Sequence, residues 1–346
     1  MFKMTKSKIE NAIIVRNKTR LEQLTEKFNT KEQAKFYVKA KQAAYFSKKK
    51  GGLSTKGFLK NPVKINEKIS DQKTTNEFSV YEEENETFYD SIDSIQHQLN
   101  DVLKTKVIDQ DFLSNYIFTE KDLIVVVGQD GLVANTAKYV SGLPIVAVNP
   151  DELRYDGVLL PYTPDNFMTG VNDVLNDNFK KKNITMAEVV LNDGQRLLAF
   201  NDFFIGIRSH SSSRYQITFR DQKENHSSSG VIVSTGAGAT GWMSSIFNMA
   251  NGMIRSFSTS KPIEYNPIGQ EDDSLLFVVR EPFISKTSQA NIIAGQIYFG
   301  EQLTIESFMP QNGIIFSDGI QSDYLEFNSG AIAEIGIAKE KAILVI

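Results

Sequence analysis

The run Asp122-Leu123-Ile124-Val125-Val126-Val127 has no polar alternation and ends at once in Gly128-Gln129-Asp130-Gly131. A bare β-branched run of this kind is a strand buried on both faces, as in a parallel sheet covered by helices. The following residues, 132–141, predict a short helix. Asp130 therefore belongs on the turn at the carboxyl end of a central strand, the edge at which open α/β sheets bind ligands.

The neighbouring patterns fit that frame. Residues 12–15 predict a first strand, and 31–50 a helix that stops at Gly51-Gly52. Residues 53–75 are polar, Lys-rich and without period, so an insertion is expected near 53–84, with Glu82-Glu83-Glu84 as a solvated charge run. Apolar residues at Phe88, Ile92, Ile95, Leu99 and Leu103 make an amphipathic helix. Val107-Ile108, 143–148 and a helix over 167–179 continue the alternation of strand and helix. After about Lys182 the pattern becomes strand after strand: a hairpin about Asn192-Asp193-Gly194, then 215–219, 231–234, 275–279, 291–299, 302–307, 314–317, 321–327, 331–337 and 342–346. Residues 221–229 read as a turn, and a helix over 243–257 interrupts. The expected architecture is α/β: a Rossmann-like N-terminal domain (1–181) and a β-rich C-terminal domain (182–346) whose last residues pack back on the first.

Composition narrows the function classes. The 346 residues carry a formal net charge of -4, which does not imply a general nucleic-acid or membrane surface. The absence of cysteine excludes disulfides and thiolate metal sites. His97, His210 and His226 are scattered, so no metal site is expected. No apolar stretch is long enough to span a bilayer. A strand beginning near residue 11 leaves little room for a leader, and a cytoplasmic location is expected. The basic turn Arg16-Asn17-Lys18-Thr19-Arg20 suits phosphate and a solvated loop equally.

Three stretches carry candidate chemistry. In Gly128-Gln129-Asp130-Gly131, glycines let a backbone approach phosphate and a following helix start favours anions. A carboxylate there would instead take a proton from an attacking hydroxyl or help hold Mg²⁺. On composition alone a structural turn is the better account of these four residues. Asn201-Asp202 offers donor and acceptor to paired ribose hydroxyls, or forms an Asx turn. The loop Ser234-Thr235-Gly236-Ala237-Gly238-Ala239-Thr240-Gly241-Trp242 leaves its backbone open to a ligand or to tight packing. Thr240 lies near a helix start, and Trp242 can stack on a base or on core side chains.

Taken in order, the three stretches resemble the ATP-dependent NAD kinase family, which carries Gly-Gly-Asp-Gly, then Asn-Glu, then a Thr- and Gly-rich loop. Asn201 to Gly206, Ser212-Ser213-Arg214-Tyr215, Ser228-Ser229-Gly230 and Thr235 to Trp242 most resemble the mitochondrial-type animal NAD kinases. The stretches beginning at Phe277, Asp318-Gly319 and Phe327 extend the likeness. The resemblance implies phosphorylation of the adenosine 2′-hydroxyl of NAD by MgATP, with Mg²⁺ arriving with ATP, and a dimer or tetramer. By the same resemblance Asp130 is the catalytic base. Gly128, Gly131, Asn201, Asp202, Thr240 and Trp242 bind the dinucleotide and donor.

Gln129 stands where the family has glycine, and Leu132 where it has threonine. A left-handed backbone at 129 would cost a side chain roughly 1–2 kcal/mol. Two other readings remain: a kinase of the same fold acting on a lipid or sugar hydroxyl, and a non-catalytic dinucleotide-binding regulator.

Overall fold

In the computed structural model, which describes residues 9–50 and 76–346, strand β3 (Asp122–Val127) is buried at every residue. It pairs in parallel with β1 (Asn11–Arg16) and β4 (Pro144–Val148), and β1 pairs with β2 (Lys104–Asp109). The spatial order is β2-β1-β3-β4. Leu123, Val125 and Val127 pack on Phe88, Ile92, Ile95 and Leu99 of α3 (Asn76–Asn100) and on α5 (Phe167–Leu175). Ile124 and Val126 face the other way, onto Leu132, Val133 and Ala137 of α4 (Asp130–Ala137). The unalternating run is thus explained: both of its faces are covered.

The expected α/β class and β-rich C-terminal half are present. β5 (Lys181–Leu191) and β6 (Arg196–Ala199) form the expected hairpin. With β8 (Ser213–Phe219), β9 (Gln222–Ser228), β13 (Leu303–Ser307) and β16 (Ile332–Val345) they extend the parallel sheet. A second, antiparallel sheet runs β12 (Ala294–Tyr298), β11 (Ser274–Val279), β10 (Val231–Ser234), β7 (Asp202–Ile207), β14 (Gly313–Ser317), β15 (Ile320–Glu326). Phe203, Tyr215, Phe277 and Phe327 fill the space between the two. Helix α6 (Trp242–Phe257) covers the outer face through Met243, Ile246 and Phe247.

β16 joins the halves. Its first part lies between β5 and β13; after a bulge, Ile343 and Leu344 pair in parallel with Pro144 and Ile145 of β4. Residues 331–337 and 342–346, expected as two strands, are therefore one bulged strand, and its end does return to the N-terminal sheet.

Other expectations are corrected. The turn at 16–20 gives way to a helix, α1 (Arg20–Phe28), started by a capping box between Thr19 and Glu22. α2 spans Lys31–Lys50 as expected. Of the insertion near 53–84, residues 53–75 lie outside the described residues, whereas 76–84 belong to α3. Glu84 is buried there rather than solvated. Residues 222–228 form strand β9, not a turn. Its inward positions are Glu224, His226 and Ser228, polar groups of which His226 bonds Glu224 and Ser228 bonds Tyr215, so no apolar alternation announces it.

Candidate active site

Backbone conformation and free space set the turn after β3. Gln129 has an extended backbone (φ -112°, ψ 165°) and serves as N-cap of α4. The backbone at 129 is thus not left-handed, and a side chain is accommodated there without that cost. The helix begins at Asp130, two residues earlier than the sequence suggested, because Asp130 is well suited to a first turn. Gly128 answers to space: a Cβ would lie 2.7 Å from the Asn17 amide oxygen and 2.9 Å from Leu132 Cδ2. A Cβ on Gly131 would meet nothing within 4 Å, so that position stands open. The Asp130 carboxylate accepts hydrogen bonds from the amides of Val158 (3.1 Å) and Leu159 (2.8 Å).

At the far end of α4 the Lys138 ammonium enters the C-terminal half. It donates to Ser317 Oγ at 2.9 Å and lies 3.6 Å from Asp318, both side chains being almost wholly buried. Asp318 and Gly319 both adopt positive φ, 53° and 73°, forming the tight turn between β14 and β15. That turn aims the Asp318 carboxylate at the strand entry of β7, where it accepts the amides of Phe200, Asn201 and Asp202 at 3.1, 2.6 and 3.3 Å. Burial pushes the Asp318 carboxyl above its ordinary value, opposed by Lys138 and the three amides. Burial likewise lowers Lys138, with Asp318 and Asp323 opposing. Asp202, enclosed and next to Asp318, is raised from 3.8 to about 7, chiefly by burial and then by that negative neighbour.

The small-residue loop packs tightly and also borders open space. A Cβ on Gly236 would lie 1.9 Å from the carbonyl oxygen of Gly269, and one on Gly238 2.2 Å from that of Asn201. Those two glycines are therefore required by backbone contact. The Thr235 hydroxyl, fully buried, donates to the Phe200 carbonyl at 2.5 Å and accepts the amides of Ala237 and Gly238. Trp242 stacks on Phe204 with rings 6.0 Å apart and 6° from parallel, and Arg280 lies over the Trp242 ring as well.

The result is an open cleft of about 400 Å³ bordered by Asn201, Asp202, Thr240, Trp242 and Asp318. Four of the sequence-derived candidates thus meet there. Gly128, Asp130 and Gly131 do not border it. Gly128 and Gln129 line a different crevice between the ends of β1 and β3, with Asn17, Thr19, Glu84 and Tyr155. Helix α4 connects the two places, about 12 Å apart along its axis at 1.5 Å per residue. The basic residues of the first turn are engaged by carboxylates: Arg16 by Asp109 and Glu22, Lys18 by Glu26 and Asp111, Arg20 by Glu84.

Lys138, Asp318, Thr235 and Glu84 were not singled out as site residues in the sequence. A lone lysine closing the uncharged stretch 132–137 was the one available signal for Lys138. Glu84 had none, being hidden in a run of three glutamates. Among the described residues no group of three His, Asp or Glu side chains could hold a metal ion. No helix among them is long and apolar enough to cross a membrane.

No protein-family model matches the chain. Over 134 residues it is 30% identical to an NAD kinase of Hydrogenovibrio crunogenus, a stretch covering 36% of this chain and 45% of that protein. Over 163 residues it is 25% identical to an NAD kinase of Saccharolobus islandicus, covering 47% and 59%. The chain thus spans about half the length of the curated relatives it matches. Among solved structures, yeast NADH kinase complexed with NADH superposes with a TM-score of 0.53 at 15% identity, covering 75% of this chain and 79% of that one. In fold this chain is similar to a yeast NADH kinase, and over part of its length it is related in sequence to NAD kinases.

Proposed function

We propose that the chain is an NAD kinase that transfers the terminal phosphoryl group of MgATP to the adenosine 2′-hydroxyl of NAD. The observation that carries this reading is the cleft itself: Asn201, Asp202, Thr240 and Trp242 gather around one opening, tied by Lys138 and Asp318 to the helix that starts at Asp130. The sequence relatives named NAD kinase support it. The stretches 201–206 and 235–242 favour the mitochondrial-type animal branch, with 1–181 and 182–346 as the two domains.

Asn201 and Asp202 hold ribose hydroxyls, Thr240 contacts the dinucleotide at the start of α6, and Trp242 offers a stacking face. Gly128 and Gly131 let the donor's phosphates approach the start of α4. Asp130 takes the proton from the 2′-hydroxyl. An ionised carboxylate has about four lone-pair sites. The Val158 and Leu159 amides use two and fix its direction, which leaves room for a hydroxyl donor. Mg²⁺ enters with ATP, and catalysis is positioning and charge neutralisation. A cytoplasmic homodimer or homotetramer completes the proposal.

The test is incubation of the purified protein with MgATP and NAD, following NADP, beside Asp130→Asn. We expect NADP from the wild type and a loss of about 10²–10⁴-fold in the variant. No NADP despite measurable NAD binding would sink the proposal in favour of a dinucleotide-binding regulator. Phosphate on a lipid or sugar hydroxyl instead would assign another kinase.

A further inference from the structure

The order β2-β1-β3-β4 reverses direction between β1 and β3, and the crevice outside the carboxyl ends of those two strands is where such sheets bind ligands. Here that crevice is nearly filled, with only about 10 Å³ of free space beside Gly128. A chain carboxylate occupies its charged corner. The Glu84 side chain, 7% exposed, receives Arg20 Nε at 2.5 Å and the Tyr155 hydroxyl at 2.9 Å, with Arg154 Nη1 at 3.9 Å. Gln129 lines the same crevice as Glu84 and Tyr155. Arg154 Nη1 is buried and has no hydrogen-bond partner among the described residues, so one guanidinium donor faces this corner unused. At the start of α4 the Leu132 and Val133 amides bond to the Gln129 carbonyl, which leaves those of Asp130 and Gly131 as its first turn's free donors.

Two guanidinium groups, a phenol and a helix start around one anion form a site for a phosphate chain. We propose that Arg20, Arg154, Tyr155 and the 128–131 turn bind the phosphates of the donor, and that Glu84 is a built-in competitor occupying their place. The inference rests on the kinase reading for the identity of the ligand. The Gln129 side chain helps to fill the crevice that Glu84 occupies. Phosphate binding displaces the Glu84 carboxylate, and the weaker the hold on Glu84, the tighter the phosphate chain binds.

The experiment measures binding of inorganic tripolyphosphate and of ATP by calorimetry to the full chain and to Glu84→Gln, with thermal melts of each. Glutamine keeps the shape and a hydrogen-bond acceptor for Tyr155 but removes the charge that competes. Tripolyphosphate and ATP should both bind at least about tenfold tighter to Glu84→Gln. Adding Arg20→Gln and Arg154→Gln should abolish that gain. Equal gains for the two ligands assign the site to the phosphate chain alone, and a larger gain for ATP assigns it to a nucleoside triphosphate. Unchanged or weaker binding by a Glu84→Gln protein that still melts cooperatively would overturn the inference, making Glu84 structural only. If that variant unfolds, Gln129→Ala carries the test, because trimming a side chain that lines the nearly filled crevice should give a smaller gain of the same sign, and no gain overturns the inference. The readout is independent of catalysis. NADP formation with no gain on Glu84→Gln refutes the competitor and leaves the kinase, and the converse refutes the kinase and leaves the site.

Discussion

Lys138 Nζ and the Asp318 carboxylate lie 3.6 Å apart with both side chains withdrawn from solvent, and this pair joins the end of α4 to the turn that orients Asn201 and Asp202. Removing one partner of a buried pair leaves an uncompensated charge, a loss of about 3–5 kcal/mol. Lys138→Met should therefore lower the urea midpoint sharply, and Lys138→Met with Asp318→Asn should recover part of that loss. A double variant whose loss equals the sum of the losses of Lys138→Met and Asp318→Asn alone would show that the two residues are not coupled.

Asp202 makes stability depend on pH in an unusual direction for a carboxylate. Its folded pKa of about 7 lies above the ordinary 3.8. Between those values the folded chain holds a proton that the unfolded chain releases, so this contribution to stability is full below about 3.8 and is lost as pH rises through about 7. Asp202→Asn should remove that decline. The comparison is the difference in unfolding free energy between wild type and variant at pH 4.5 and pH 8; parallel pH profiles would refute it.

Gly131 and Gly236 should answer oppositely to alanine. Gly131 has free space and no positive φ within α4, so Gly131→Ala should stabilise the fold by about 0.5–1 kcal/mol. Gly236→Ala would drive a Cβ to 1.9 Å from a carbonyl oxygen and should destabilise by several kcal/mol on the order of other overpacked sites. Thermal melts decide stability. ATP affinity of Gly131→Ala then isolates ligand approach, since the fold itself gives that glycine no reason to be bare.

Thr235→Val keeps volume but strips a hydroxyl that bonds the Phe200 carbonyl and two loop amides. Leaving buried groups unpaired should cost about 1–3 kcal/mol. Thr235→Ser should restore most of it. A valine variant as stable as wild type would mean that the loop holds its shape by packing alone.

What the sequence revealed followed from side-chain periodicity. β3 was legible because burial on both faces leaves an unbroken apolar run, and α2 because residues 31–50 are rich in Lys, Gln and Ala, which favour helix. β9 was not, because its inward residues are Glu224, His226 and Ser228, and a polar interior looks like a turn. Asn201, Asp202, Thr240 and Trp242 were found as local motifs and do meet around one cleft. Asp318 was visible only as part of a resemblance: its three amide partners lie over a hundred positions upstream, a relation no local pattern encodes. Glu84 was misjudged for the same reason, since its partners Arg20 and Tyr155 come from distant elements.

The shared strand β16 bears on the order in which the molecule is completed. On the side of β4 away from β3, Pro144 and Ile145 find their partners in Ile343 and Leu344. During synthesis the N-terminal sheet must therefore wait, with one side of β4 unpaired, until nearly all of the C-terminal half has emerged. Contacts so far apart form slowly, and an unpaired strand is prone to wrong partners in the meantime. The α/β half is made first and finished last, so its protection from aggregation depends on how promptly the second half folds.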